Sequence, residues 1–198
     1  MRFSIPTYTF SNGDDWEVYA MMLDDIHTEH GYICRLLKIL QQKLTAIRNG
    51  QEVDYGLIKD IVDYLQNHAE CCHHPKEDVL YHYYQQHYAE HVGEVESLEK
   101  EHEELARLTQ EFADTVEMIL MDAVIPLDVF ADKLNAFVVR QYAHLEFEEK
   151  HILPLIRKHF TQDDWLAVSQ QYEECDCDPL FGVQVTDRYR NLAERLQA

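Results

Sequence analysis

Four long stretches of this chain place apolar residues at alternating steps of three and four, a period that admits little besides amphipathic helices. Between Asp14 and Arg48 the seam runs through Leu23, Ile26, His30, Ile33, Leu37, Leu40, Leu44 and Ile47. It follows the Ser11-Asn12-Gly13-Asp14 turn and capping cluster and stops at Asn49-Gly50, where a glycine can take a left-handed cap. A second stretch opens around Asp54 and runs through Ile58, Ile61, Val62, Leu65 and Ala69 towards Leu80. Pro75, which has no N–H to donate, predicts a kink in it. The third, from about Val92 to Ala123, carries Val95, Leu98, His102, Leu105, Thr109, Phe112, Val116 and Ile119. The fourth starts around Pro126 or Asp128 and carries Phe130, Leu134, Phe137, Gln141, His144, Glu148 and Ile152.

With short connections, four such helices predict an all-α fold, an up-down-up-down antiparallel four-helix bundle over about residues 14–160. Short extra C-terminal helices are expected within 161–198: one from the Thr161-Gln162-Asp163-Asp164 cap to near Glu174, another over Thr186–Leu196. A length of 198 residues with only 6 Gly and 5 Pro suits one domain, 1–198, built of long helices. The excess of 37 acidic over 17 basic residues, a formal charge of −20, disfavours nucleic acid or an anionic membrane surface as partner. No apolar run suggests a signal peptide or a membrane span, so a cytoplasmic protein is expected. Five cysteines, Cys34, Cys71, Cys72, Cys175 and Cys177, do not require a disulfide framework, and reduced thiols are the expectation.

The seams are not wholly apolar. Three of them carry a histidine, His30, His102 and His144, and burying an imidazole without a partner is costly. Glu148 follows His144 by four residues and Glu77 follows His73 by four, a spacing that puts each pair on one side of a helix. At about 1.5 Å per residue, each of these four histidines lies about 18–20 residues from the turn that joins its helix to its antiparallel partner, His30 with His73 and His102 with His144. One level of the bundle can therefore hold His30, His73, Glu77, His102, His144 and Glu148. Four imidazoles and two carboxylates make a ligand set for two metal ions, with the carboxylates bridging, and this oxygen-and-imidazole chemistry suits iron or manganese better than copper.

The stretches His27-Thr28-Glu29-His30, His73-His74-Pro75-Lys76-Glu77-Asp78-Val79-Leu80, Lys100-Glu101-His102-Glu103-Glu104 and His144-Leu145-Glu146-Phe147-Glu148-Glu149 resemble, in order, those of the hemerythrin HHE cation-binding family. The resemblance implies two non-haem iron ions with a bridging oxo or hydroxo group, held by those six residues, and a small diatomic ligand or peroxide as partner. Oxygen-carrying members have a second histidine one turn after the third-helix ligand and an aspartate five residues after the last histidine. Ala106 and Glu149 stand there, which makes the set similar to that of bacterial iron-centre repair proteins. Two imidazoles per ion would leave both ions accessible, so easy oxidation is expected rather than reversible oxygen carriage.

His27 and His74 sit beside the proposed ligands and are expected to point about 100° away from the stripe. His68, His82, His87, His91, His151 and His159 read as surface or flanking residues, and the glutamates from Glu94 to Glu104 as a solvated face. A protein that binds or senses dioxygen, nitric oxide or peroxide leads. A di-iron oxidoreductase consuming peroxide or nitric oxide, an iron-centre repair protein, and a metal-free bundle with paired inner His and Glu are the alternatives.

Overall fold

The computed structural model describes residues 17–88, 95, 97–171, 178–182 and 184–197. The Ser11–Asp14 cap, His91, Val92 and the Cys175-x-Cys177 turn lie outside the described residues. Helix α1 spans Glu17–Arg48 and ends where Gly50 adopts a left-handed φ of 69°. A continuous helical run follows: α2 (Tyr55–Tyr64), a π-helical segment (Leu65–His73) and α3 (His74–His87). Asp54 caps it, its carboxylate accepting the Leu57 N–H at 3.1 Å. Helix α4 is Leu98–Leu120. A second composite run joins α5 (Leu127–Phe147), a π-helical segment (Glu148–Ile152) and α6 (Leu153–His159). Then come α7 (Gln162–Ser169), opened by a reciprocal Thr161–Asp164 capping box, a 3₁₀ turn at Asp187–Tyr189 and α8 (Arg190–Gln197). All regular structure among the described residues is helical, as the period predicts.

The π segments share a local cause. Each ends two residues before a proline, His73-His74-Pro75 in the first and Ile152-Leu153-Pro154 in the second. A proline inside a helix lacks the N–H for the ordinary bond, and its ring pushes against the carbonyl four residues back. The chain answers with a wider turn: the His74 N–H reaches the Ala69 carbonyl and the Leu153 N–H the Glu148 carbonyl, both five residues back. The predicted kink at Pro75 is thus a change of winding, and the proline sits in the first turn of α3.

Packing joins α1 to α5, α2 and the first π segment to α4, and α4 to α5, so the long helices form a bundle. Its interior has two apolar clusters. One holds Leu37, Leu40, Leu44, Ile61, Phe112, Phe130, Leu134 and Phe137. The other holds Ile26, Leu80, Tyr81, Tyr84, Leu98, Ile152, Ile156 and Trp165. Along α1, His30 falls between Ile26 of the second cluster and Ile33 of the first, so a polar layer separates them. No helix among the described residues is long and apolar enough to cross a membrane.

One thiol expectation is corrected. Cys34 and Cys71 are free, but Cys72 is disulfide-bonded. Pairing depends on two Cβ atoms meeting in space, which spacing along the chain does not reveal.

Candidate metal centre

The polar layer contains five buried imidazoles, His30, His73, His74, His102 and His144, around the carboxylates of Glu77 and Glu148, which have no solvent exposure at all. His30 comes from α1, His73 from the last residue of the first π segment, His74 and Glu77 from the first turn of α3. His102 comes from α4, His144 from the last turn of α5, and Glu148 from the start of the second π segment. The rings touch one another: His30 and His73 lie edge to face at 4.8 Å, His102 and His144 at 4.9 Å, and His74 stacks on His102 at 4.2 Å.

Each carboxylate faces imidazoles from more than one helix. Glu77 lies 3.0 Å from His30 Nε2, 3.5 Å from His73 Nε2 and 3.6 Å from His102 Nε2. Glu148 lies 3.2 Å from His144 Nε2, 3.4 Å from His102 Nε2 and 3.6 Å from His30 Nε2. Tyr81, itself buried, donates its hydroxyl to Glu148 Oε1 at 2.8 Å. Burial and the neighbouring Glu148 and Glu77 charges push the Tyr81 phenol far above its ordinary value, so it remains a donor.

The outer nitrogens follow a rule of their own. The Nδ1 of His30 donates to Glu149 at 2.7 Å, that of His73 to Glu29 at 2.7 Å, that of His102 to Asp78 at 2.8 Å and that of His144 to Glu101 at 3.2 Å. Every one of these carboxylates adjoins in sequence an inward residue of a neighbouring helix: Glu29 beside His30, Asp78 beside Glu77, Glu101 beside His102, Glu149 beside Glu148. The pattern runs round the bundle, each helix orienting the next one's imidazole and the last orienting the first. These carboxylates are held in turn, Glu29 by Lys76 at 2.5 Å, Glu101 by Arg140 at 2.8 Å and Glu149 by His27 at 3.0 Å. A carboxylate on Nδ1 fixes the tautomer and turns Nε2 inward, as in the outer shell of metal-bound histidines.

Inward, polar atoms outnumber their hydrogen bonds. His73 Nε2, His144 Nε2, Glu77 Oε2 and Glu148 Oε2 are fully buried with no hydrogen-bond partner, although some approach an opposite charge. An orphaned buried group costs roughly 1–3 kcal/mol, more when charged. Metal ions would satisfy all four. Two overlapping groups bring their donor atoms within 4.8 Å of one another: His74, Glu77, His102 and His144, and His30, His73 and Glu77. The donor set therefore fits two metal ions sharing a carboxylate, with Glu148 facing both groups.

Protons partly balance the carboxylate charge within the cluster. Burial lowers the basicity of His30, but hydrogen bonds to Glu149 and Glu77 outweigh it and raise the imidazole to about 10. Against the same burial, Asp78 and Glu148 raise His102 to about 10. His73, where burial and the surrounding imidazoles act together, falls well below its ordinary value. The hydrogen bond from His144, against desolvation, takes Glu101 down to about 2. Glu148 lies well below the usual carboxylate range, because the charge of His144 and the hydrogen bond from His102 overcome its burial.

All six residues singled out by spacing thus meet in one cluster. The expectation for His74 is overturned: it is only 4% exposed and packs among the others. Over the π segment inward pairs recur every five residues, His68 with Ala69 and then His73 with His74, whereas ordinary winding would turn Cys72 inward in place of His74. Counting back from Leu80, Tyr81 and Tyr84 would have put the inward direction between His73 and His74. His68 is buried rather than flanking, 3.4 Å from Asp178. His27 is partly exposed and donates to Glu149, while His151 is exposed. The five outer carboxylates, Glu70 of His74 included, escape a reading of the inner face; the signal for four is an acidic residue adjoining an inward one, and Glu70 lies one turn before His74. Glu101 is correspondingly no part of a merely solvated face.

Residues 21–156 match the family model of the hemerythrin HHE cation binding domain. No curated protein and no solved structure gives a significant match.

Proposed function

The chain belongs to the hemerythrin HHE cation-binding family, and from that premise we propose that it is a non-haem di-iron protein that binds or senses dioxygen, nitric oxide or peroxide. In this reading the long helices run up-down-up-down, and His30, His73, Glu77, His102, His144 and Glu148 hold two iron ions with a bridging oxo or hydroxo group. The observation that carries it is the pair of wholly buried carboxylates, Glu77 and Glu148, each facing imidazoles from several helices and each with an orphaned oxygen. Oxygen and imidazole donors favour iron over softer metals. The iron pair supplies one-electron chemistry and coordination positions for a small oxidising ligand.

The chain's own groups do the rest. Glu29, Asp78, Glu101 and Glu149 keep Nδ1 protonated on four imidazoles and leave Nε2 free to coordinate. Tyr81 fixes one oxygen of Glu148 and holds a proton at the edge of the cluster. The apolar clusters above and below exclude bulk water.

Anaerobic loading with ferrous iron followed by elemental analysis should give about two irons per chain. A single tightly held zinc, with no second metal taken up, overturns the reading. If stopped-flow absorbance shows many equivalents of peroxide or nitric oxide consumed per iron, the protein is an oxidoreductase instead of a binder.

A further inference from the structure

Ala106 leaves the third long helix with a single inward histidine, and an equal division of two imidazoles per ion follows from that sequence. The structure brings in a fifth imidazole from another helix. Resting on the di-iron reading, we propose that His74 is a terminal ligand of the ion held by His102 and His144, so that the imidazoles divide three to two.

Four observations converge on this residue. Its donor atom lies within 4.8 Å of those of Glu77, His102 and His144. Its ring is parallel to that of His102, 9° apart in plane, and stands edge-on to His144 at 5.6 Å. Its Nδ1 donates to the Glu70 carboxylate at 3.2 Å, the arrangement that every other imidazole of the cluster shows, and this leaves Nε2 as the free donor. The fourth is a chain of polar side chains behind it. Thr109, whose hydroxyl donates to the Leu105 carbonyl at 2.8 Å, also lies 3.4 Å from the other oxygen of Glu70, and Gln141 donates to Thr109 at 3.3 Å. Thr109 and Gln141 are buried on the seams of α4 and α5, where apolar residues would otherwise stand. Their place is explained if Glu70, and through it His74, must be held in one orientation.

The donor count then becomes unequal. Three imidazoles and two carboxylates face one ion; two imidazoles, His30 and His73, and the same two carboxylates face the other. The open position falls on the His30 and His73 side, and the expectation of two equally accessible ions gives way.

Proton NMR of the full chain loaded anaerobically with ferrous iron tests the assignment. An imidazole bound through Nε2 retains its Nδ1 proton, which appears as a strongly shifted signal that is lost in heavy water. Five such signals are expected in the wild type and four in His74→Ala. Glu70→Gln, which keeps the histidine and removes its carboxylate, should move one of the five and leave the others, and it serves if His74→Ala does not fold. Azide titration of the oxidised protein should saturate at one azide per iron pair in the wild type and two in His74→Ala. Four shifted signals in the wild type, or two azides per pair before any substitution, overturn the assignment of His74 while the two-iron reading stands. Fewer than two irons per wild-type chain overturns that reading itself.

Discussion

Helices α1 and α4 wind as α-helices from end to end, and each delivers one imidazole to the cluster, His30 and His102. The two composite runs, each interrupted by a π segment that closes just before a proline, deliver His73, His74 and Glu77 from one and His144 and Glu148 from the other. The difference is one of winding. An ordinary turn advances 3.6 residues and turns one or two side chains inward, so a seam that must also pack against its neighbours has little room for donors. A π turn holds an extra residue, which lets the adjacent His73 and His74 both face inward while Leu65 before them and Leu80 after them stay in the apolar core. Both kinds of helix fill the apolar clusters, but only the interrupted ones supply the inward carboxylates.

Substitutions in the two kinds of helix put that difference at risk. The largest effect is expected from Glu148→Ala. It removes the carboxylate that faces His30, His102 and His144, and leaves those imidazoles buried around an uncompensated site. Iron should drop from about two per chain to well below one, whereas His30→Ala on α1 should keep about one, since the His74, His102 and His144 group remains. Elemental analysis after gel filtration measures both. Equal loss in the two variants would mean that the composite helices have no larger share in holding metal.

The converse substitution concerns packing. Leu37 on α1 is wholly buried in the apolar cluster below the polar layer. Leu37→Ala should cost about 2–5 kcal/mol through lost burial and the cavity left behind. Urea unfolding of the metal-free chain reads this as a lower midpoint with an unchanged slope. Iron per folded chain should stay at about two, and a variant that lost metal in proportion to stability would show that packing and coordination are not separable here.

The same division decides what could be read from the sequence. On α1 and α4 the steps of three and four name the inward residues correctly, from Ile26 through His30 to Ile47 and from Leu98 through His102 to Val116. The level shared by His30, His73, His102 and His144 was legible too, because helical rise is nearly constant. His74 was not, since a phase carried forward from Ile61 and Leu65 passes through the π segment one residue out of step. Nor were the outer carboxylates, whose partners belong to other helices: Glu29 adjoins His30 but serves His73. Local pattern reveals which face is inward, and only the assembled bundle shows which neighbour a residue on its shoulder meets.

The smallest predicted effect lies at the far end of the first composite run, where α3 is held by the α7 cap. Asp164 accepts the Tyr83 hydroxyl at 2.7 Å, the Tyr88 hydroxyl at 2.5 Å, the Thr161 N–H at 2.7 Å and the Thr161 hydroxyl at 2.6 Å. Burial alone would raise this carboxyl, but the bonds from Thr161, Tyr88 and Tyr83 outweigh it and bring it down to about 2. A carboxylate whose value is lower in the folded chain stabilises folding above its unfolded value, near 4, and that contribution is lost as pH falls through about 2. An asparagine at this position has no charge to contribute and serves the four donors less well, so Asp164→Asn should cost on the order of 1 kcal/mol at neutral pH. The informative quantity is the stability difference between wild type and variant in the metal-free chain, because the other carboxylates titrate alike in both. That difference should be full at pH 6 and shrink between about pH 4 and 2. A difference that stayed constant down to pH 2 would show that the carboxylate charge has no part in the clamp, and that α3 keeps its phase through the packing of Leu80, Tyr81 and Tyr84 alone.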